Sequence, residues 1–134
     1  FTRTSGSEGV LQIVSDGDAS FFWIVGTVDN SACHFGDAIN PDQPHPAPYI
    51  APPILENGKR HVSVVHIRKD GVTADLDGKT LGKLTPADTS NYALRAAEWQ
   101  VPPGTLGLGV NKSSFVFHAV EIVEVTGNGH VVGK

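Results

Sequence analysis

Asp75 and Asp77 alternate with Leu76 in "TADLDG", so on a strand their carboxylates would point the same way. A carboxylate pair is the equipment of sugar hydrolysis, at roughly 5–5.5 Å for retention of configuration and roughly 6.5–9.5 Å for inversion. Asp77 also precedes Gly78, a context in which aspartate is favoured for the hydrogen bond it makes to its own backbone. A turn role for Asp77 is therefore the expectation. Glu121 and Glu124 in "EIVE" are three positions apart and fall on opposite faces of a strand, so they do not make a pair. His34, Asp37, Asp42 and His45 share one segment but lack the tight spacing of a strong metal motif. Asp16 and Asp18 in "SDGDAS", with Asp29, form an oxygen-rich set of the kind calcium takes, in a stretch that is equally ordinary turn composition. No cofactor is expected, calcium at these three residues being the alternative that the residues allow. Cys33 and His34 are adjacent, so on a strand they point apart, and Cys33 reads as a small buried apolar residue. No nucleophile elbow, phosphate loop or dinucleotide fingerprint occurs.

Aromatic side chains can stack on the C–H faces of sugar rings. The chain has 2 Trp and 2 Tyr: Trp23, Tyr49, Tyr92 and Trp99. In "SFFWIVG" both strand faces are apolar, so Trp23 reads as core. Tyr49, within the proline-rich segment, and Trp99, just before "VPP", are the aromatic candidates for a ligand surface.

The elements that must position these groups are short strands. Gly (15) and Pro (9) are spread along the chain, and Val, Ile, Thr and Phe fill the pieces between. The pattern predicts strands over Val10–Ser15, Ser20–Val28, His61–Lys69, Val72–Asp77, Lys79–Leu84, Leu106–Gly109 and Ser114–Val125. A helical turn is expected only within "PADTSNYALRAAEW". Asp70-Gly71 and Asp77-Gly78 are each suited to a tight hairpin turn, which makes Arg60–Leu84 a three-stranded meander. One face of it is apolar, with Val72, Ala74 and Leu76, and needs a second sheet beneath. The other carries His66, Arg68 and Asp75, with Asp77 at its end. Between Asp29 and Gly58 fall Pro41, Pro44, Pro46, Pro48, Pro52 and Pro53, and proline cannot donate to a ladder. That segment reads as a long ordered loop or a set of edge pieces.

At 134 residues a single domain is the natural reading, and its core needs no disulfide staples. A formal charge of −4 without a basic run argues against nucleic acid. No apolar run approaches the ~20 residues of a membrane span, so no membrane insertion is expected. The chain has no methionine and opens on "FTRTSG", which reads as the end of a strand plus a turn. The expectation is a piece of a longer chain, or a sheet completed by another chain or segment.

Two stretches carry a resemblance. "ENGKRHVSVVHIRKDGVTADLDGKTLG" resembles the middle of concanavalin A-like domains, and "GTLGLGVNKSSFVFHAVEIVEV" resembles their close. The laminin-G-like and 3-keto-disaccharide hydrolase-type domains, in the bacterial versions attached to multidomain proteins, share this layout. In outline the likeness spans Phe21–Val125. It implies an all-β fold, a two-sheet antiparallel jelly-roll β-sandwich, often holding calcium. It also implies a concave free sheet face as the ligand surface, here the face of His66, Arg68 and Asp75, walled by the Asp29–Gly58 loop. The function it implies is a non-catalytic carbohydrate-binding or accessory module of a secreted or surface protein. Its partner is a glycan or polysaccharide, and its location is extracellular, periplasmic or the cell surface. The related glucanases carry a Glu-x-Asp-x-Glu strand, and no such motif occurs here. A glycoside-cleaving domain of the 3-keto-disaccharide hydrolase type and an interaction module without a sugar ligand are the alternatives.

Overall fold

A computed structural model describes residues 1–16, 19–36, 48–85, 101–102 and 105–125; for 15, 16, 19 and 20 it describes the backbone only. Ten strands and one helical turn occur among the described residues. The strands are β1 (Thr2–Gly6), β2 (Val10–Asp16), β3 (Ala19–Gly26), β4 (Ala32–Phe35), β5 (Tyr49–Ile50), β6 (Ser63–Arg68), β7 (Gly71–Leu76), β8 (Lys79–Leu84), β9 (Leu106–Val110) and β10 (Ser113–Val116). The helical turn, α1, is Thr27–Asn30. Hydrogen bonding groups the strands as β5-β4-β3-β2-β9, β6-β7-β8 and β1-β10, and every neighbouring pair is antiparallel. The fold is mostly β, built on antiparallel sheets of five, three and two strands. No helix among the described residues is long and apolar enough to cross a membrane.

The meander forms as its alternation and turn residues require. In β7, Val72, Ala74 and Leu76 are buried while Thr73 and Asp75 are half-buried on the other side. Asp77 and Gly78 stand at φ +52° and +81°, the two positive values of a type I′ turn. A Cβ on Gly78 would meet nothing within 4 Å, so its glycine is required by the backbone alone. Gly78→Val is expected to cost about 1–2 kcal/mol, read as a lowered melting temperature; an unchanged one would contradict the turn.

The first turn sits one residue earlier than the sequence suggests. Arg68 pairs with Gly71, so Lys69 and Asp70 form the loop and Gly71 opens β7. Gly71 has φ +130°, and a Cβ there would run into the carbonyl of Leu84 on β8. Its glycine serves the close approach of two strands as well as the turn.

The five-stranded and three-stranded sheets share one core. Val10, Trp23, Val25, Cys33 and Phe35 join Val72, Ala74, Leu76 and Leu84 in a single buried cluster, with Leu55 from the β5–β6 connection. Trp23 is fully buried, with its ring centroid 4.9 Å from that of Phe35. A Cβ on Gly82 would lie 2.6 Å from Trp23 Cζ3 and 2.8 Å from Phe35 Cε2, so the missing side chain lets the two sheets close. Cys33 is buried, as its neighbours suggest, and burial pushes its thiol up to about 11.

Elsewhere the strand boundaries differ from expectation. β3 stops at Gly26 rather than Val28, because Gly26, Val28, Asp29 and Asn30 all have positive φ and turn the chain left-handed through α1. The Asp29–Gly58 segment contributes β4 and the edge strand β5. The opening residues form β1, and Phe1 exchanges backbone hydrogen bonds with His61 at 2.9 and 2.8 Å, joining β1 to the approach to β6. The closing strand ends at Val116, not Val125: residues 117–125 lie outside any ladder because no neighbouring strand flanks them among the described residues. The expected helical turn within residues 86–99 falls outside the described residues.

Candidate functional site

The outer face of the three-stranded sheet collects the polar groups. Val64 is opposite Asp75, His66 opposite Thr73, and Arg68 opposite Gly71. On the other flank of β7, Thr80 is opposite Asp75 and Lys83 opposite Thr73. Opposed residues in an antiparallel pair share a face, so these side chains form one surface, away from the buried row of Val72, Ala74 and Leu76.

Within it, His66 Nε2 lies 3.1 Å from Asp75 Oδ2, a diagonal cross-strand contact. The imidazole is 41% exposed and the carboxylate 21%, so the pair presents its histidine to solvent and recesses its acid. Asp75 Oδ1 is shielded and has no hydrogen-bond partner among the described residues. An orphaned carboxylate oxygen is a strong unused acceptor. Arg68 is exposed, and its Nη1 donates to the Ile67 carbonyl at 2.7 Å. A guanidinium has five N–H donors in a planar fork, and no other Arg68 donor has a partner among the described residues. The surface therefore offers a fork of donors, a two-faced imidazole and an acceptor, suited to hydroxyls and carboxylates.

Asp77 does not join that surface as a second acid. Its Oδ1 accepts the Val62 N–H at 2.8 Å and its Oδ2 accepts His61 Nδ1–H at 2.7 Å. Burial raises the Asp77 carboxyl, but the hydrogen bonds from the Val62 N–H and the His61 ring and the nearby charge of Lys59 outweigh it, leaving the group below its ordinary value. His61 is almost fully buried, and its Nε2 accepts the Glu56 N–H at 3.4 Å, which leaves Nδ1 as the protonated nitrogen. This pair, with Phe1 against it, ties β1, the entry to β6 and the β7–β8 turn together. The sequence signal for it was His61 on the core-facing side of the strand, where a buried histidine needs a partner.

Tyr49 lies elsewhere. It is half-buried on β5, its hydroxyl accepts a hydrogen bond from Lys79 Nζ at 2.7 Å, and the ammonium stands 4.7 Å from its ring centroid. Lys79 is opposite Leu76, a core-facing residue, whereas Asp75 is opposite Thr80. Tyr49 thus meets the hairpin from the core side, and the fold does not bring it to His66, Arg68 and Asp75. Trp99 lies outside the described residues, as do Asp18 and residues 37–47 of the expected loop wall.

Of the calcium set, Asp16 ends β2 and Asp29 is exposed in α1, where its backbone N–H meets Glu8 Oε1 at 3.4 Å. Among the described residues, no three His, Cys, Asp or Glu side chains gather as a metal site.

Two buried polar residues went unnoticed in the sequence. Arg3 is only 4% exposed, and its guanidinium donates to Asn57 Oδ1 at 2.6 Å, Leu55 O at 2.8 Å and Glu8 O at 3.3 Å. Burial lowers its pKa. Asn30 grips Leu55 from both sides, donating to its carbonyl at 2.7 Å and accepting its N–H at 2.8 Å. These contacts hold the β5–β6 connection in place. Comparison with protein-family models, with curated proteins and with solved structures finds no match to this chain.

Proposed function

We propose that this chain is a non-catalytic carbohydrate-binding or accessory module, with its ligand surface on the outer face of β6 and β7. In this reading the five- and three-stranded sheets are the two layers of a concanavalin A-type jelly-roll sandwich. The host is a secreted or surface protein. The observation that carries the reading is the His66–Asp75 pair beside the exposed Arg68 guanidinium, with Asp75 Oδ1 lacking a donor. A sugar hydroxyl is a donor that such an oxygen accepts, and vicinal hydroxyls or a uronate carboxylate match the guanidinium fork. Rotation of the exposed His66 ring would open the approach to Asp75. Hydrolysis would need a second acid near Asp75, and Asp77 is engaged by Val62 and His61.

The test is calorimetric titration with a panel of neutral and uronate-containing oligosaccharides. The Arg68→Ala/Asp75→Ala double variant is expected to lose at least tenfold in affinity. Its melting temperature should barely move, because a cross-strand polar pair contributes only about 0.2–1 kcal/mol. Affinity unchanged in the double variant would exclude this surface.

A further inference from the structure

Beyond Val116 the chain runs on as "FHAVEIVEV", residues 117–125, rich in β-branched residues, with a bend at His118 and no strand beside it among the described residues. Its apolar side chains face solvent: Val120 is 53% exposed, Ile122 79%, Val123 75% and Val125 56%. An apolar, unpaired segment is a template for pairing with another strand. The segment directly continues β10, which is itself laddered to β1.

We propose that Phe117–Val125 pairs with the same segment of a second copy of this chain, antiparallel, about a two-fold axis at Glu121. The choice of partner rests on self-complementarity. With the axis at Glu121, Phe117 faces Val125, Ala119 faces Val123, and Val120 faces Ile122 of the second copy. His118 then faces Glu124, twice. His118 Nε2 is already 2.9 Å from Thr2 Oγ1, which leaves Nδ1 for that glutamate. Neighbouring registers lose this match. Moving the axis half a residue toward Ile122 sets Glu121 against Ile122 and Glu124 against Ala119. Moving it a full residue sets Glu121 against Val123 and Glu124 against Val120. An isologous interface needs one patch that complements itself, and this register supplies apolar contacts and a ring N–H donor against a carboxylate in one strand. Its cost is Glu121 against Glu121, a like-charge pair that weakens the association.

That self-pair gives the experiment its handle. In the 134-residue chain the only native cysteine, Cys33, is buried and will not interfere. Under mild oxidation at low protein concentration, Glu121→Cys should form a disulfide-linked dimer. Val125→Cys should not, since its two copies would stand roughly 27 Å apart at ~3.4 Å per residue. Sedimentation should show the wild-type chain dimerising, Glu121→Gln dimerising at least as tightly, and Ile122→Lys weakened at least tenfold. Ile122 is exposed, so the circular dichroism and melting temperature of Ile122→Lys should match wild type at concentrations where both are monomers. A wild-type monomer at high concentration, equal cross-linking at Glu121→Cys and Val125→Cys, or a dimer untouched by Ile122→Lys would each overturn the proposal. A monomer that captures a different strand would point to a foreign partner instead, and would overturn it equally.

Discussion

Truncating Trp23 to alanine is expected to cost about 3–5 kcal/mol, the range for a large aromatic removed from a packed core. Trp23 is fully buried between β2, β4 and the three-stranded sheet, with Phe35 on one side and Gly82 left empty to admit its ring. The loss would fall on the contact between the two sheets. Trp23→Phe is expected to cost well under half as much, for a specific reason. The indole Nε1 is buried and has no acceptor among the described residues, so the native residue carries an unsatisfied donor that phenylalanine lacks. Urea unfolding followed by far-ultraviolet circular dichroism compares the two. Equal losses would mean that the indole nitrogen finds a partner.

The second large effect is at Arg3. Removing its side chain takes a charged donor from the Leu55 and Glu8 carbonyls and from the Asn57 amide oxygen, although Leu55 O keeps the Asn30 amide and Glu8 O keeps the Ser113 hydroxyl. Hydrogen bonds made by a charged group contribute about 1.5–3 kcal/mol net, and Arg3→Ala is expected to lose about that much. Arg3→Lys should recover little of it. An ammonium is a point donor on a flexible stem and cannot reach three acceptors spread around a planar fork. Full stability in Arg3→Lys would contradict this reading of the cluster.

These two residues also mark where the sequence could and could not be read. Trp23 sits in a run that is apolar on both faces, and Val72, Ala74 and Leu76 alternate cleanly, so the meander and its core face followed from period and turn chemistry. The sides of β6 and β7 that carry His66, Arg68 and Asp75 followed from the same alternation. Arg3 was not legible, because its acceptors lie near Glu8 and again near Leu55 and Asn57, a match made only by folding. Gly71 was read as a turn residue, although the Leu84 carbonyl on the next strand is what excludes a side chain there. Tyr49 was grouped with the polar face because a proline-rich loop gives no period from which to read its side; Lys79 holds it against the other one. The expected closing strand runs to Val125 because β-branched residues record what a segment is suited to pair with, not whether the partner is present.

Recognition of a glycan by the outer face of β6 and β7 is tested by backbone amide chemical-shift mapping. Titrating the isotope-labelled chain with the tightest-binding oligosaccharide should move His66, Arg68, Thr73 and Asp75 in a saturable way, together with their β8 neighbours Thr80 and Lys83. The buried row of Val72, Ala74 and Leu76 should move less. Saturable shifts centred elsewhere, or none with any glycan of the panel, would contradict the account.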